Sequence, residues 1–474
     1  MHRWLALAVF SCLALAHVGS PDVFHEGKAG PYTAFVTIRP PLVIPGVAEI
    51  EIRVSEPGIE KVRITPMPLT GDGAKFAPTP DIAERSKDDT QFFTGSLWMM
   101  TSGSWQVRVH LDGSRGSGKL SVPVPAIARK TQAMDLAMAA MLTALMLLLS
   151  AGIVSIVGAA SRESQLEPGL QPDPGRLKRA RRMMIIAAVT VVAILYLGNL
   201  WWTAEASAYD RYIYKPLEMD ATLEQSERLV LKLRDPGWLP RLLDDFLPDH
   251  NHLMHMYVIR LPEMERVWHL HPEMTASGVF EHKLPPMPAG RYRLYSDVVH
   301  KSGFPETIVA EIELPEIAGK PIEGDDSTGV GPKLSASNRD LAVAGLEDGY
   351  RMIWERDPKG YPARKPAVFR FRIEDEKGEP AEGMELYMGM PGHAAFLKHD
   401  GTVFAHVHPS GSVPMASLSL TSAEADPHAG HARGVLSPEA GFPYGFPSPG
   451  HYRIIVQMKL AGKVRAGMFD LNVN

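Results

Sequence analysis

Two short stretches carry the residues best suited to chemistry: His255 followed by His269-Leu270-His271-Pro272, and His393 followed by His406-Val407-His408-Pro409. Histidines two apart on a strand share a face. A third on the neighbouring strand makes a set that suits zinc or copper. Asp400-Gly401 between two apolar runs predicts a tight hairpin, in which paired positions sum to 801. His393 then faces His408, and Ala395 faces His406. A turn at Pro262-Glu263-Met264 gives the first stretch the same geometry, with His255 opposite His271 and Tyr257 opposite His269. Directly opposed Cβ atoms lie ~4.5–5.5 Å apart, so each hairpin gathers three imidazoles. The competing reading is that these are ordinary strand histidines making hydrogen bonds.

Further donors are weaker candidates. Asp249-His250-Asn251-His252 precedes the first triplet and places His252 at its rim. His300 is a candidate fourth ligand or supporting partner, and Met390 a candidate thioether. Alternation puts Met254 and Met256 on the face opposite His255, as core. His428 and His431 fall in an insertion, Thr421 to Gly441, expected to be a loop. The sole cysteine, Cys12, lies in a segment expected to be removed, so thiolate sites are excluded from the mature chain. Cleavage after Ala16 makes His17 a new N-terminus, whose amine and imidazole together chelate copper; His25 or His110 would complete that site, with Asp112 on the same face.

The elements that must hold these groups are mostly strands. The expected fold class is mostly β: three immunoglobulin-like β-sandwich domains plus a two-helix transmembrane hairpin. Residues 1–16 read as a signal peptide. A sandwich is expected over 17–130, with strands at Tyr32–Ile38, Ala48–Val54, Lys61–Thr65, Phe92–Met99, Ser104–Leu111 and Lys119–Val124. Uncharged apolar runs within 134–158 and 183–203 are each long enough to span a bilayer. The loop between them, 159–182, carries Arg162, Arg176, Lys178, Arg179, Arg181 and Arg182 against three acids, Glu163, Glu167 and Asp173, and is expected in the cytoplasm. A second sandwich is expected over 210–317, a Gly/Asp/Ser/Pro-rich linker over 318–338, and a third sandwich over 339–474. The second and third read as repeats, since Gly290-Arg291-Tyr292-Arg293 returns as Gly450-His451-Tyr452-Arg453.

The first region, from Ala16-His17-Val18 onward, resembles CopC-type periplasmic copper-binding proteins and YtkA-like immunoglobulin-fold domains. The resemblance implies a Cu(II) site at His17. The family's later Asp-x-His pair stands here in reversed order, as His110-Leu111-Asp112. The H-x-H-P repeats resemble segments of membrane-anchored periplasmic proteins that carry no assigned activity.

The expected function is a metal-binding protein anchored in the bacterial inner membrane by two passes, with both terminal domains in the periplasm. It would handle copper, with zinc as the alternative ion, as a chaperone, a buffer or a delivery factor. Its expected partners are the membrane, the ion, and an envelope cuproprotein or oxidase. A formal net charge of −5 disfavours nucleic acid. Solvent-facing imidazoles would pass the ion on, and binding would weaken below about pH 6, near the reference histidine pKa. The alternatives are a non-metal scaffold or partner-binding protein, and a zinc-dependent hydrolytic enzyme. No catalytic base is evident at fixed spacing.

Overall fold

The computed structural model describes residues 22–167, 169–238, 241–334, 341–421 and 436–474. The chain forms two compact units, Arg129–Tyr214 and the remainder. His17 and the cleavage site fall outside the described residues, as do His428 and His431.

Arg129–Tyr214 holds two long helices, α1 (Leu136–Glu163) and α2 (Pro174–Tyr209). Each is capped at its start by an aspartate, Asp135 or Asp173, whose carboxylate accepts two backbone N–H groups. Both are long and apolar enough to cross a membrane. They extend into the expected 159–182 loop, so the connection between them is shorter than composition suggested. Gly158 lets the helices approach: a Cβ there would lie 2.6 Å from the Met184 sulfur.

The other unit is built from strands. In its first region β1 (Val23–Ala29), β2 (Tyr32–Arg39), β3 (Gly46–Val54), β4 (Ile59–Pro68), β5 (Asp81–Arg85), β6 (Phe92–Met99), β7 (Gly103–Gly113) and β8 (Gly116–Ala126) pair in the order β1-β2-β3-β6-β5-β4-β7-β8. Alternation drives this region. On β3, Ala48, Ile50, Ile52 and Val54 are buried, while Glu49 and Arg53 point outward.

The second region holds β9 (Glu218–Glu224), β10 (Arg228–Arg234), β11 (Phe246–Leu247), β12 (His255–Leu261), β13 (Arg266–Leu270), β14 (Glu273–Ala276), β15 (Val279–Lys283), β16 (Gly290–His300), β17 (Pro305–Leu314) and β18 (Ser327–Val330). The third holds β19 (Val343–Gly345), β20 (Arg351–Glu355), β21 (Ala367–Glu374), β22 (Met384–Glu385), β23 (His393–Lys398), β24 (Phe404–Val407), β25 (Glu439–Tyr444), β26 (Gly450–Leu460) and β27 (Lys463–Val473), with a short helix α3 (Met415–Ser419). In each region one sheet contains a run of the same kind, β17-β16-β12-β13 in the second and β27-β26-β23-β24 in the third. The expected repeat is therefore visible in strand order.

Two expectations need correction. Part of the expected 318–338 linker is strand β18, which pairs with β13 through Trp268↔Thr328 and His269↔Ser327. Its Gly/Asp/Ser-rich composition hid it. The expected insertion also ends in a strand, since β25 pairs with β21.

Three cores explain where the histidines go. One fills the second region and includes Met254, Met256, Val258 and Trp268. Another fills the third region, includes Phe396, Val407 and Ile454, and takes in Phe24 from β1. The third core lies between the two repeats: Tyr257, Ile259, Val267 and Tyr295 meet Ala395, Leu397, Phe404 and Ile455. Strands β12 and β23 are therefore covered on both faces and nearly all their residues are buried. The imidazoles belong to the faces that meet. The expectation that they face solvent is overturned: Tyr257 and Ile259, on the same face as His255, must be covered by apolar surface, and the sister sheet supplies it.

Candidate metal centre

Both hairpins have the expected register. Tyr257 pairs with His269 on β12–β13, and Ala395 pairs with His406 on β23–β24. His271 and His408 sit just past the ends of β13 and β24. The two triplets do not stay apart, because the sheets that carry them are face to face. His250, His252, His255, His269, His271, His393, His406 and His408 form one continuous group of rings, each with its nearest partner histidine centroid at 4.0–5.0 Å.

Within this group two sets of three can each hold a metal ion: His255, His269 and His271; and His250, His393 and His408. The second set draws His250 from one repeat and His393 and His408 from the other. His406 belongs to neither set and lies between them, with ring centroids 5.5 Å from His255, 5.4 Å from His269, 5.4 Å from His393 and 4.7 Å from His408.

The first set is held by acceptors behind its rings. His255 Nε2 lies 2.9 Å from the Asp249 carbonyl, His269 Nδ1 lies 3.1 Å from Gln457 Oε1, and His271 Nδ1 lies 2.9 Å from Asp326 Oδ1. The Gln457 amide is oriented by Tyr257, whose hydroxyl donates to Oε1, and by Ser327, whose Oγ accepts from Nε2. A neutral imidazole carries one N–H, and each here spends it on its acceptor. That leaves lone pairs on His255 Nδ1, His269 Nε2 and His271 Nε2. The first two face each other at 3.2 Å. Two lone pairs at that distance repel unless a cation lies between them. Nitrogens bound at 2.0–2.1 Å to a tetrahedral ion are separated by about 3.3 Å. Acceptors behind metal-binding histidines are the usual device for fixing the tautomer.

Burial sets the electrostatics. It pushes His255 and His269 well below the ordinary histidine pKa, and the neighbouring imidazoles add to the shift. His393 and His408 are depressed by the same causes. Burial also lowers His271, against the pull of Asp326. Burial alone would raise Asp326, but hydrogen bonds to His271 and His282 outweigh it and hold the carboxylate low. Asp249, buried and only partly compensated by the Ala416 N–H, is pushed up to about 6. Burial thus holds His255, His269, His271, His393 and His408 toward the neutral form that a metal ligand requires, against the expectation of protonation near pH 6.

The remaining candidates sort by geometry. His252 is at the rim, as expected, stacked 4.0 Å from His271 with Nε2 3.1 Å from Asp325 Oδ2. His300 is not in the group. It is held between Asp245 at 2.6 Å and Glu306 at 2.9 Å, whose hydrogen bonds outweigh burial and raise its pKa. Met390 is buried in a turn where it and Tyr387 exchange backbone hydrogen bonds. His25 and His110 join no three-residue group among the described residues. His25 is buried in β1, where its backbone bridges to Gly411. Asp112 is engaged by Arg63 and Ser117, each at 2.7 Å.

Sequence reasoning missed His250 as a ligand, and it missed Asp326 and Gln457 as supports. A signal for His250 existed. The turns Asp249–His252 and Tyr387–Met390 have the same backbone pairing and the same pair of left-handed residues, His250 and Asn251 in one, Met388 and Gly389 in the other. On the first of these turns the His250 ring lies 5.0 Å from His393 and 5.1 Å from His408 of the partner repeat.

Comparisons with known proteins give a family match for one region. No curated protein matches the chain. Among solved structures, it is similar to a tetra-tandem repeat from the extending region of a large adhesion protein, at 7% identity over 95% of this chain and 82% of that one, TM-score 0.17. Salmonella alpha-2-macroglobulin reacted with methylamine is similar at 7% identity over 96% of this chain, which spans 23% of that protein, TM-score 0.19. A bacterial ice-binding adhesin is similar at 6% identity over 90% of each chain, TM-score 0.16. Residues 344–474, the third β region with His393, His406 and His408, match the family described as a domain of unknown function, DUF8832.

Proposed function

We propose that this chain is a membrane-anchored metal-binding protein of the bacterial envelope that handles copper, with zinc as the competing ion. One observation carries the reading: His255 Nδ1 and His269 Nε2 face each other at 3.2 Å while each ring's other nitrogen is taken by an acceptor. Copper is favoured over zinc because a nitrogen-donor site without thiolate follows the general affinity order, in which Cu(II) exceeds Zn(II). The ion is cargo or a stored pool, held between two immunoglobulin-like repeats. The basic residues around the α1–α2 connection favour placing it in the cytoplasm, with the β regions on the far side.

The test is metal content of the full chain purified in detergent and exposed to equal copper and zinc. The expected result is up to two copper ions per chain, falling by one in His269→Ala and by one in His393→Ala. A chain that takes up neither metal, or whose content is unchanged in both variants, overturns the reading.

One observation favours a second reading, a zinc-dependent hydrolase. A partly open cavity of about 140 Å³ adjoins His255, His406 and His408, and Asp249 lines it. A carboxylate with a pKa raised to about 6 is a suitable base for a zinc-bound water. Hydrolysis of an activated ester by the zinc-loaded chain, lost in Asp249→Asn, would support it. No turnover above free zinc would remove it.

A further inference from the structure

The cavity beside the histidines lies where the three β regions meet. Val23 and Pro125 come from the first, Val298 and Thr307 from the second, Val413 and Tyr444 from the third. Most of the wall is apolar. Its polar lining includes His255, His406, His408, Asp22, Asp249, Asp297 and Glu306, with Ser412 and Ser417. Asp249 and Asp297, carboxylates in a low-dielectric wall beside imidazoles, concentrate cations at that face, while Glu306 is already paired with Arg241 and His300. The volume of about 140 Å³ accommodates an ion with several waters, at about 30 Å³ each.

His406 is placed to connect this cavity with both sets of ligands. It lines the cavity, its ring is within 5.5 Å of four other histidine rings drawn from both sets, and it belongs to neither. Its Nδ1 lies 3.5 Å from Asp297 Oδ2, and Asp297 is itself steadied by the Thr307 hydroxyl. The other nitrogen, Nε2, is buried without a hydrogen-bond partner in the structure. An imidazole oriented by a carboxylate on one side, with its second nitrogen turned inward, can take an ion from the cavity. It can then release the ion to either triplet by ligand exchange.

We propose that the cavity is the way in for the ion, and that His406, positioned by Asp297, is a transfer ligand rather than a permanent one. This rests on the metal-binding reading. It adds a division of labour: His255, His269 and His271 hold, and His406 conveys.

The experiment is stopped-flow loading of the full chain in detergent with Cu(II) alone, followed by quenching of tryptophan fluorescence, with equilibrium copper content measured on the same samples. His406→Gln is expected to keep the wild-type copper content and to load at least ten-fold more slowly. Asp297→Asn, which preserves shape, is expected to keep the content and slow loading three- to ten-fold. Loss of a copper equivalent in His406→Gln would make it a fixed ligand and overturn the proposal, as would wild-type loading rates in both variants. If His406→Gln does not fold, Asp297→Asn alone decides by its rate. If the wild-type chain binds no copper, the metal-binding reading fails first, and that result is distinct from an unchanged rate.

Discussion

At the scale of single residues, the proposed centre depends on groups outside its candidate ligand sets. Asp326 hydrogen-bonds to both His271, at 2.9 Å, and His282, at 3.2 Å. It fixes which nitrogen of His271 carries the proton and so aims the other at the centre. Asp326→Asn keeps the volume but replaces a charged acceptor with an amide that can turn either way. Loss of such a supporting acceptor typically costs 10–100-fold in metal affinity. We expect copper affinity of the first set to fall within that range, with circular dichroism unchanged, when measured by competition with a chromophoric chelator. Asp326 was not legible in the sequence. It lies in a stretch whose composition marks a linker, and only the pairing of β18 with β13 brings it beside His271. The hairpin placement of the six histidines was legible, because alternation and hairpin register need nothing beyond local sequence, but the exchange of His406 for His250 in the second set was not. Their burial was not, because it depends on a sheet about 140 positions further along the chain.

At the scale of elements, the decisive feature is a seam that ties the first region to the second H-x-H-P hairpin. Glu26 N–H donates to the Ser410 carbonyl at 2.8 Å, Ser412 N–H donates to the Phe24 carbonyl at 2.9 Å, and Phe24 enters the third region's core. Gly411 makes this approach possible. Its φ is +120°, and a Cβ there would lie 2.0 Å from the Phe24 carbonyl oxygen. His25 sits in the same seam, and burial lowers its pKa to about 4 against an ordinary 6.5. The unfolded chain therefore binds the proton more readily than the folded one. The stability His25 contributes is present above pH 6.5 and is lost as pH falls from 6.5 toward 4, by about 3 kcal/mol in all. Acidification from pH 7 to 4.5 should then lower the protection factors of the Glu26 and Ser412 amides, taken against the intrinsic exchange rate at each pH, and His25→Leu should blunt that change. Equal acid sensitivity in the variant would place the cause elsewhere. The strands on both sides of this seam follow from alternation and apolar runs. The seam itself joins β1, which carries polar Glu26 and Lys28 and went unrecognised as a strand, to a Pro-Ser-Gly turn.

At the scale of the whole β unit, the two repeats contact each other in exchanged form. Asp297 of one reaches His406 of the other, and Gln457, its counterpart, reaches His269, the counterpart of His406. Arg453 donates to the Met264 carbonyl at 2.6 Å in the opposite hairpin turn, while Arg293 lies against the turn at Gly401. Arg453 is fully buried and forms a two-point pair with Asp470 at 2.8 and 2.7 Å, so the joint includes a charge that must stay satisfied. In a joint of this kind an ion on the shared set would be a structural link, because His250 comes from one repeat and His393 and His408 from the other. Ligand that binds only the assembled state stabilises it by RT ln(1 + [L]/Kd), about 2.7 kcal/mol at a hundred-fold excess over Kd. Copper should therefore raise the melting temperature of the β unit as a single transition spanning both repeats, followed by calorimetry of the full chain in detergent. His250→Ala removes one ligand to the shared set and should shrink the copper-induced rise much more than it shifts the metal-free transition. If copper instead split the melt into two transitions, the ion would be binding within one repeat, and the shared set would not be its site.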